Sequence, residues 1–183
     1  QDGKRMLSCG KDPALRLWDL ATGACLRKQP GLPPTTWCVG FSPDGLRMLS
    51  VSDEPAVRVW SADTGAPLRI LPTPSPNRGV SFSPDGRWIA ASAWQGWLHV
   101  WDAATYERLV SVKGHQRDIF KHAFSPDSKR LATAGFDNVA KVWELVPPGQ
   151  PEKAALARPG EWQSLFDGKT LNGWTVLKCE ATV

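Results

Sequence analysis

GHQRDIFKHAFSPDSKRLATAGFDNVAKVWEL, residues 114–145, holds one complete copy of the pattern that decides the fold. It opens on Gly114-His115, runs through an apolar stretch into Phe124-Ser125-Pro126-Asp127, and closes on Val142-Trp143. Two strand-like runs, 130–134 and 139–145, lie either side of Phe136-Asp137-Asn138. Short runs of apolar and β-branched residues, bounded by Pro, Asp and Gly, read as strands joined by tight turns.

Upstream the same pattern recurs. Trp18, Trp60, Trp101 and Trp143 are 42, 41 and 42 residues apart, and Asp2, Asp44, Asp85 and Asp127 keep the same intervals. DGKRMLS, FSPDGLRMLS, FSPDGRWIAAS and FSPDSKRLATA align, as do LRLWD, VRVWS, LHVWD and AKVWE. A period of about 40–45 residues holding four short strands is that of a propeller blade. On these phrases, residues 1–145 resemble the WD-repeat family. The resemblance implies an all-β fold, a partial β-propeller of about four blades. The first blade lacks its inner strand, and the ring is incomplete in this segment, which is expected to be the C-terminal part of a larger ring.

The pattern places inner strands at 37–41, 79–82 and 119–124, each ending before Ser-Pro-Asp. Second strands follow at 5–8, 47–51, 88–92 and 130–134, and third strands end at the tryptophans. Turns at 21–23 and 62–65 close on glycine, whereas the one at 103–106 ends on Tyr106.

In the WD-repeat family a hydrogen-bonded chain links the Gly-His histidine, a Ser or Thr on the second strand, an Asp in the next turn, and the Trp. Mapped by position, the resemblance assigns this structural network to His115, Thr133, Asp137 and Trp143 in the fourth unit. The first unit has Ser8, Asp12 and Trp18. The second has Ser50 and Trp60, with Glu54 in the acidic position and Leu32 in that of the histidine. The third keeps Trp101 but has Thr73, Ala91 and Gln95 elsewhere in the set. A hydroxyl beside His and Asp also suits a nucleophile with its base and orienting acid. Repetition at the blade period, with Trp as the last partner, instead assigns the set to a buried polar network that pins strands together. No catalytic residue is expected in this segment.

Trp94 and Trp97, around Gln95-Gly96, are extra aromatics of the third unit. They read either as a turn offering two exposed rings to a partner or a sugar, or as packing across a degenerate blade. Arg16, Arg58, His99 and Lys141 recur two residues before each tryptophan, a position read as a solvated strand face.

Composition bounds the function classes. With 42% hydrophobic and 22% charged residues the chain is not an intrinsically disordered one. A net charge of +4, scattered rather than striped, gives no footprint for nucleic acid or an anionic membrane. The cysteines Cys9, Cys25, Cys38 and Cys179 have no CxxC spacing, so neither a metal site nor a disulfide framework is expected, and no cofactor is implied.

After residue 145, VPPGQPEKAALARPG reads as a linker over 146–160. Residues 161–183 begin a new signal, in which Leu165-Phe166-Asp167-Gly168-Lys169-Thr170-Leu171 with Asn172-Gly173-Trp174 resembles the opening of the 3-keto-disaccharide hydrolase family. That resemblance implies the first strands of a laminin-G-like or concanavalin-like β-sandwich, and a longer protein hydrolysing glycosidic bonds. A protein partner for the propeller is the first expectation, and a carbohydrate partner for the following domain the second.

Overall fold

The computed structural model describes residues 3–10, 12, 14–33 and 35–145, together with the backbone of residues 163–164, 177–178 and 181–182. Every main element is a short antiparallel strand, and the sheets are meanders in chain order. Blade one holds β1 (Arg5–Ser8), β2 (Ala14–Asp19) and β3 (Cys25–Pro30). Blade two is β4 (Thr36–Phe41), β5 (Arg47–Ser52), β6 (Ala56–Ser61) and β7 (Pro67–Pro72). Blade three is β8 (Asn77–Phe82), β9 (Trp88–Ala93), β10 (Trp97–Asp102) and β11 (Arg108–Lys113). Blade four has β12 (Ile119–Phe124), β13 (Arg130–Gly135) and β14 (Val139–Glu144). The expected strands are present with ends moved by one or two residues, and the first blade has three strands, as its repeat implied.

The linker at 146–160 and the phrase at 165–174 lie outside the described residues. Within 161–183, β15 (Gln163–Ser164) pairs with β16 (Leu177–Lys178), and β17 (Ala181–Thr182) pairs with the outer side of β14. The fourth position of the last sheet is thus taken by the backbone of the chain's own end.

Three apolar clusters form the seams between blades. Leu15 and Leu32 meet Met48, Trp60 and Ala62 at the first seam. At the second, Leu49, Val57 and Val59 of blade two face Phe82, Ile89 and Trp101 of blade three. At the third, Trp88, Leu98 and Val100 meet Ile119, Leu131 and Trp143. Period-two alternation sorts each strand between two seams. In β9, Trp88 and Ala90 go to the third seam and Ile89 and Ala91 to the second. This sandwiching buries all six residues of β9, whereas β13 alternates exposed with buried.

The Ser-Pro-Asp turns are tied by their own side chains. In blade two, Arg47 N donates to Ser42 Oγ at 2.9 Å and Leu46 N to Asp44 Oδ1 at 2.9 Å. Gly45 and Gly86 take positive φ (70° and 75°) there, and Ser128 (59°) does so in blade four.

One irregularity repeats. The pairing of inner with second strand slips by a residue between Thr36 and Cys38, between Asn77 and Gly79, and between Ile119 and Lys121. Trp37, Arg78 and Phe120 are the unpaired residues at these bulges. A bulge bends its strand and re-aims the extra side chain.

Candidate functional site

Blade four brings its predicted set together. His115 Nε2 lies 2.8 Å from Thr133 Oγ1, and its Nδ1 lies 2.9 Å from Asp137 Oδ1. Trp143 Nε1 donates to Thr133 Oγ1 at 2.9 Å. Gln116 N and Val139 N donate to the same carboxylate at 2.9 and 3.2 Å. Burial alone would raise the Asp137 pKa, but the His115 hydrogen bond, the Gln116 amide and the His115 charge outweigh it and hold the group below the usual carboxylate range. Thr133 is 2% exposed, so no substrate atom can approach its hydroxyl. The arrangement has the parts of a catalytic triad without the access one requires.

Other blades retain less. Trp18 Nε1 donates to Ser8 Oγ at 2.8 Å and Trp60 Nε1 to Ser50 Oγ at 2.9 Å. Asp12 and Glu54 have no histidine beside them and pair with Arg16 and Arg58 instead. In blade three, Ala91 stands where the hydroxyl would be. Thr73, at the histidine position, accepts from Asn77 Nδ2 at 2.9 Å, and Gln95, at the acidic position, donates its backbone N–H to Asp118 at 2.9 Å.

The basic position before each tryptophan is not a solvated face. His99 is fully buried, and Lys141 is buried with Nζ donating to Gly114 O, while Arg16 and Arg58 are half-buried against carboxylates. The neighbouring seam or an acidic residue four positions earlier decides the environment in each case. His99 stacks on Trp97 at 5.9 Å, and its Nδ1 lies 3.0 Å from Ser111 Oγ.

Gly135 shows why the network constrains backbone. A Cβ there would collide with His115 Nδ1 and Asp137 Oδ1. Blades two and three, which lack the histidine, carry Ser52 and Ala93 at the same position. Gly135→Ala is expected to cost about 2 kcal/mol, in the range for overpacking. Gly10→Ala, where the added Cβ meets only Asp12 Oδ1 at 3.5 Å, is expected to be nearly neutral. Urea denaturation of the pair checks this, and equal losses would mean that the network does not set the requirement.

At the end of the blades where inner strands begin, the bulged residues form a rim. Arg78 Cζ lies 5.7 Å from the Trp37 ring, 5.2 Å from that of Trp94 and 5.6 Å from that of Phe136, and its Nη2 pairs with Asp118 at 3.5 Å. Phe120 packs edge-on against Phe136 at 5.4 Å. Trp37, Phe120 and Phe136 are 46%, 57% and 43% exposed. One guanidinium therefore gathers rings from three blades. Trp94 joins it, whereas Trp97 stacks on His99, and both are half-buried, so of the two readings of these aromatics the burial favours packing. Trp37, Arg78 and Phe120 were not singled out from sequence, although their 41- and 42-residue spacing was available.

A second feature absent from the sequence reading crosses the third seam. His122 Nε2 lies 2.9 Å from Ser81 Oγ, and its Nδ1 lies 2.9 Å from Ser92 Oγ. Both hydroxyls belong to blade three, so the imidazole staples the two blades. Among the described residues Cys9, Cys25 and Cys38 are free thiols.

The model of the WD domain, G-beta repeat family matches residues 23–61, 66–102 and 106–144. The chain is 38% identical over 149 residues to the Protein LST8 homolog of Dictyostelium discoideum, covering 78% of the chain and 49% of that protein. The Drosophila melanogaster Protein LST8 homolog is 28% identical over 154 residues, covering 79% of the chain and 49% of that protein. WD repeat-containing protein 1 of Gallus gallus is 35% identical over 69 residues, 36% of the chain and 11% of that protein. The chain thus spans about half the length of the LST8 homologs and about a tenth of WD repeat-containing protein 1.

Proposed function

Since this chain belongs to the WD domain, G-beta repeat family, we propose that it is a binding scaffold whose protein partner docks on the rim of Trp37, Arg78, Phe120, Trp94 and Phe136. The single observation carrying this reading is the set of partly exposed rings around Arg78: Trp37 at the bulge equivalent to that of Arg78, and Trp94 and Phe136 just after the second strands of their blades. Aromatic residues and arginine dominate binding energy in protein interfaces because they bury large rigid areas at little entropic cost. The hydrogen-bonded sets on Ser8, Ser50 and Thr133 serve this reading by fixing the strands from which the rim projects.

The test starts from a partner captured on the immobilised 183-residue chain. Calorimetric titration of that partner against Trp37→Ala and Phe120→Ala is expected to show about 30-fold weaker binding for each, the equivalent of about 2 kcal/mol. Leu26→Ala, on the exposed outer strand of blade one, is expected to bind as the parent does. Parent-like affinity in both rim variants would overturn the proposal. A sugar-directed hydrolase activity in a longer protein, with the blades as accessory module, is supported only by the 165–174 phrase.

A further inference from the structure

Between the outer strand of blade two and the turn that joins β10 to β11 in blade three lies an open groove of about 400 Å³ that shares no residue with the rim. Arg69, Ile70 and Pro72 of β7 line one side, Tyr106 and Arg108 the other, and the buried Trp101 closes its base. This volume is near the lower end of the roughly 300–1,000 Å³ typical of ligand sites. It exceeds what a lone inorganic anion needs.

Two arginines and no carboxylate are among the residues that line the groove. Neither Arg69 nor Arg108 forms an ion pair among the described residues. Asp102, in the adjoining turn, is occupied by the backbone N–H groups of Ala104 and Thr105, each at 2.8 Å. Glu107 is the other carboxylate of this turn and is exposed. Arg69 lies 5.7 Å over the Tyr106 ring, and Arg47 donates to the Tyr106 hydroxyl at 3.4 Å, so two guanidiniums engage one tyrosine.

Tyr106 supplies an independent observation. Its φ is +61°, in the left-handed region, at the turn position that Gly23 (+68°) and Gly65 (+73°) occupy in blades one and two. A bulky residue is strained there. The fold itself is served by glycine in the two preceding blades. Strain of this kind concentrates at sites where a side chain is needed for function.

We infer that this groove binds an acidic peptide segment. A carboxylate or phosphate of the ligand sits between Arg69 and Arg108, and an adjacent apolar side chain lies against Ile70 and Tyr106. The charge accounts for the anion, and the apolar wall for a side chain beside it.

Fluorescence polarisation tests this with the whole chain and three labelled probes: a Glu-Glu-Ile-Glu peptide, its phosphoserine counterpart, and a Gln-Gln-Ile-Gln control. At least one acidic probe is expected to bind at least tenfold more tightly than the control, and whichever is tighter assigns carboxylate or phosphate as the source. Arg69→Ala/Arg108→Ala is expected to lose at least tenfold. Tyr106→Gly relieves the backbone but removes the ring that packs against the second seam, so it is expected to keep the parent's circular dichroism, with a lower melting temperature, while losing binding by a similar factor. Equal binding of acidic and neutral probes, no binding of either, or parent-like affinity in the folded Tyr106→Gly variant would each overturn the inference.

Discussion

Moving from pH 7.5 to pH 5.0 is expected to remove about 3–4 kcal/mol of folding stability, most of it through two histidines. His99 is held at a pKa of about 4, first by burial and then by the charge of Arg108. Burial, then the charge of Lys121, lowers His122 to about 4 as well. In the unfolded chain both return to about 6.5. Between those limits the unfolded chain takes up protons that the folded one refuses, so stability falls as the pH falls and levels off below about 4. At pH 5 the deficit is about 2 kcal/mol for His99, and about 1–2 kcal/mol for the half-buried His122, which solvent screens in part. Urea denaturation across this range gives the slope. His99→Leu with His122→Gln is expected to flatten it whatever the variant's absolute stability, and an unchanged slope would mean that other groups carry the acid sensitivity.

Trp143→Ala is expected to cost about 3–5 kcal/mol, the usual price of deleting a large buried aromatic. Against a typical total of about 5–15 kcal/mol, that approaches the threshold of unfolding. The ring fills the third seam with Trp88, Leu98 and Val100, and a Cβ on Gly114 would run into it. Trp143→Phe separates packing from polarity. It keeps most of the ring and loses the bond to Thr133, so a cost of about 1–2 kcal/mol is expected. Trp101→Phe is expected to cost less, because Ala91 offers no hydroxyl to lose. Denaturation midpoints for the three variants check the order, and equal costs for the two phenylalanine variants would show that the Thr133 hydrogen bond contributes nothing net.

The blades were legible in the sequence because each depends on local chemistry. Ser-Pro-Asp turns and period-two runs fix strands within a few residues of their own positions. The set around Thr133 was legible for a related reason: each member has a repeat-equivalent counterpart. What escaped depends on neighbouring blades. Whether Arg16 or Lys141 meets solvent is decided by the adjoining seam, and one repeat read alone gives the same pattern for both. His122 finds its partners Ser81 and Ser92 about 30 to 40 residues upstream, across a seam that no periodicity encodes. Trp37, Arg78 and Phe120 form a rim only because a slip of one residue in pairing turns each of them outward. Such a slip leaves no mark on the hydrophobic pattern.

The family matches at 23–61, 66–102 and 106–144 each start before the outer strand of one blade and stop at the third strand of the next. A gene that gains or loses one such module of 41 or 42 codons therefore keeps every remaining sheet in register. The copied unit brings half of the joint it must make, with no new contact to invent. A copy made this way can then diverge on its own, and blade three differs from its neighbours in having Ala91 in place of the hydroxyl and the added Trp94 and Trp97.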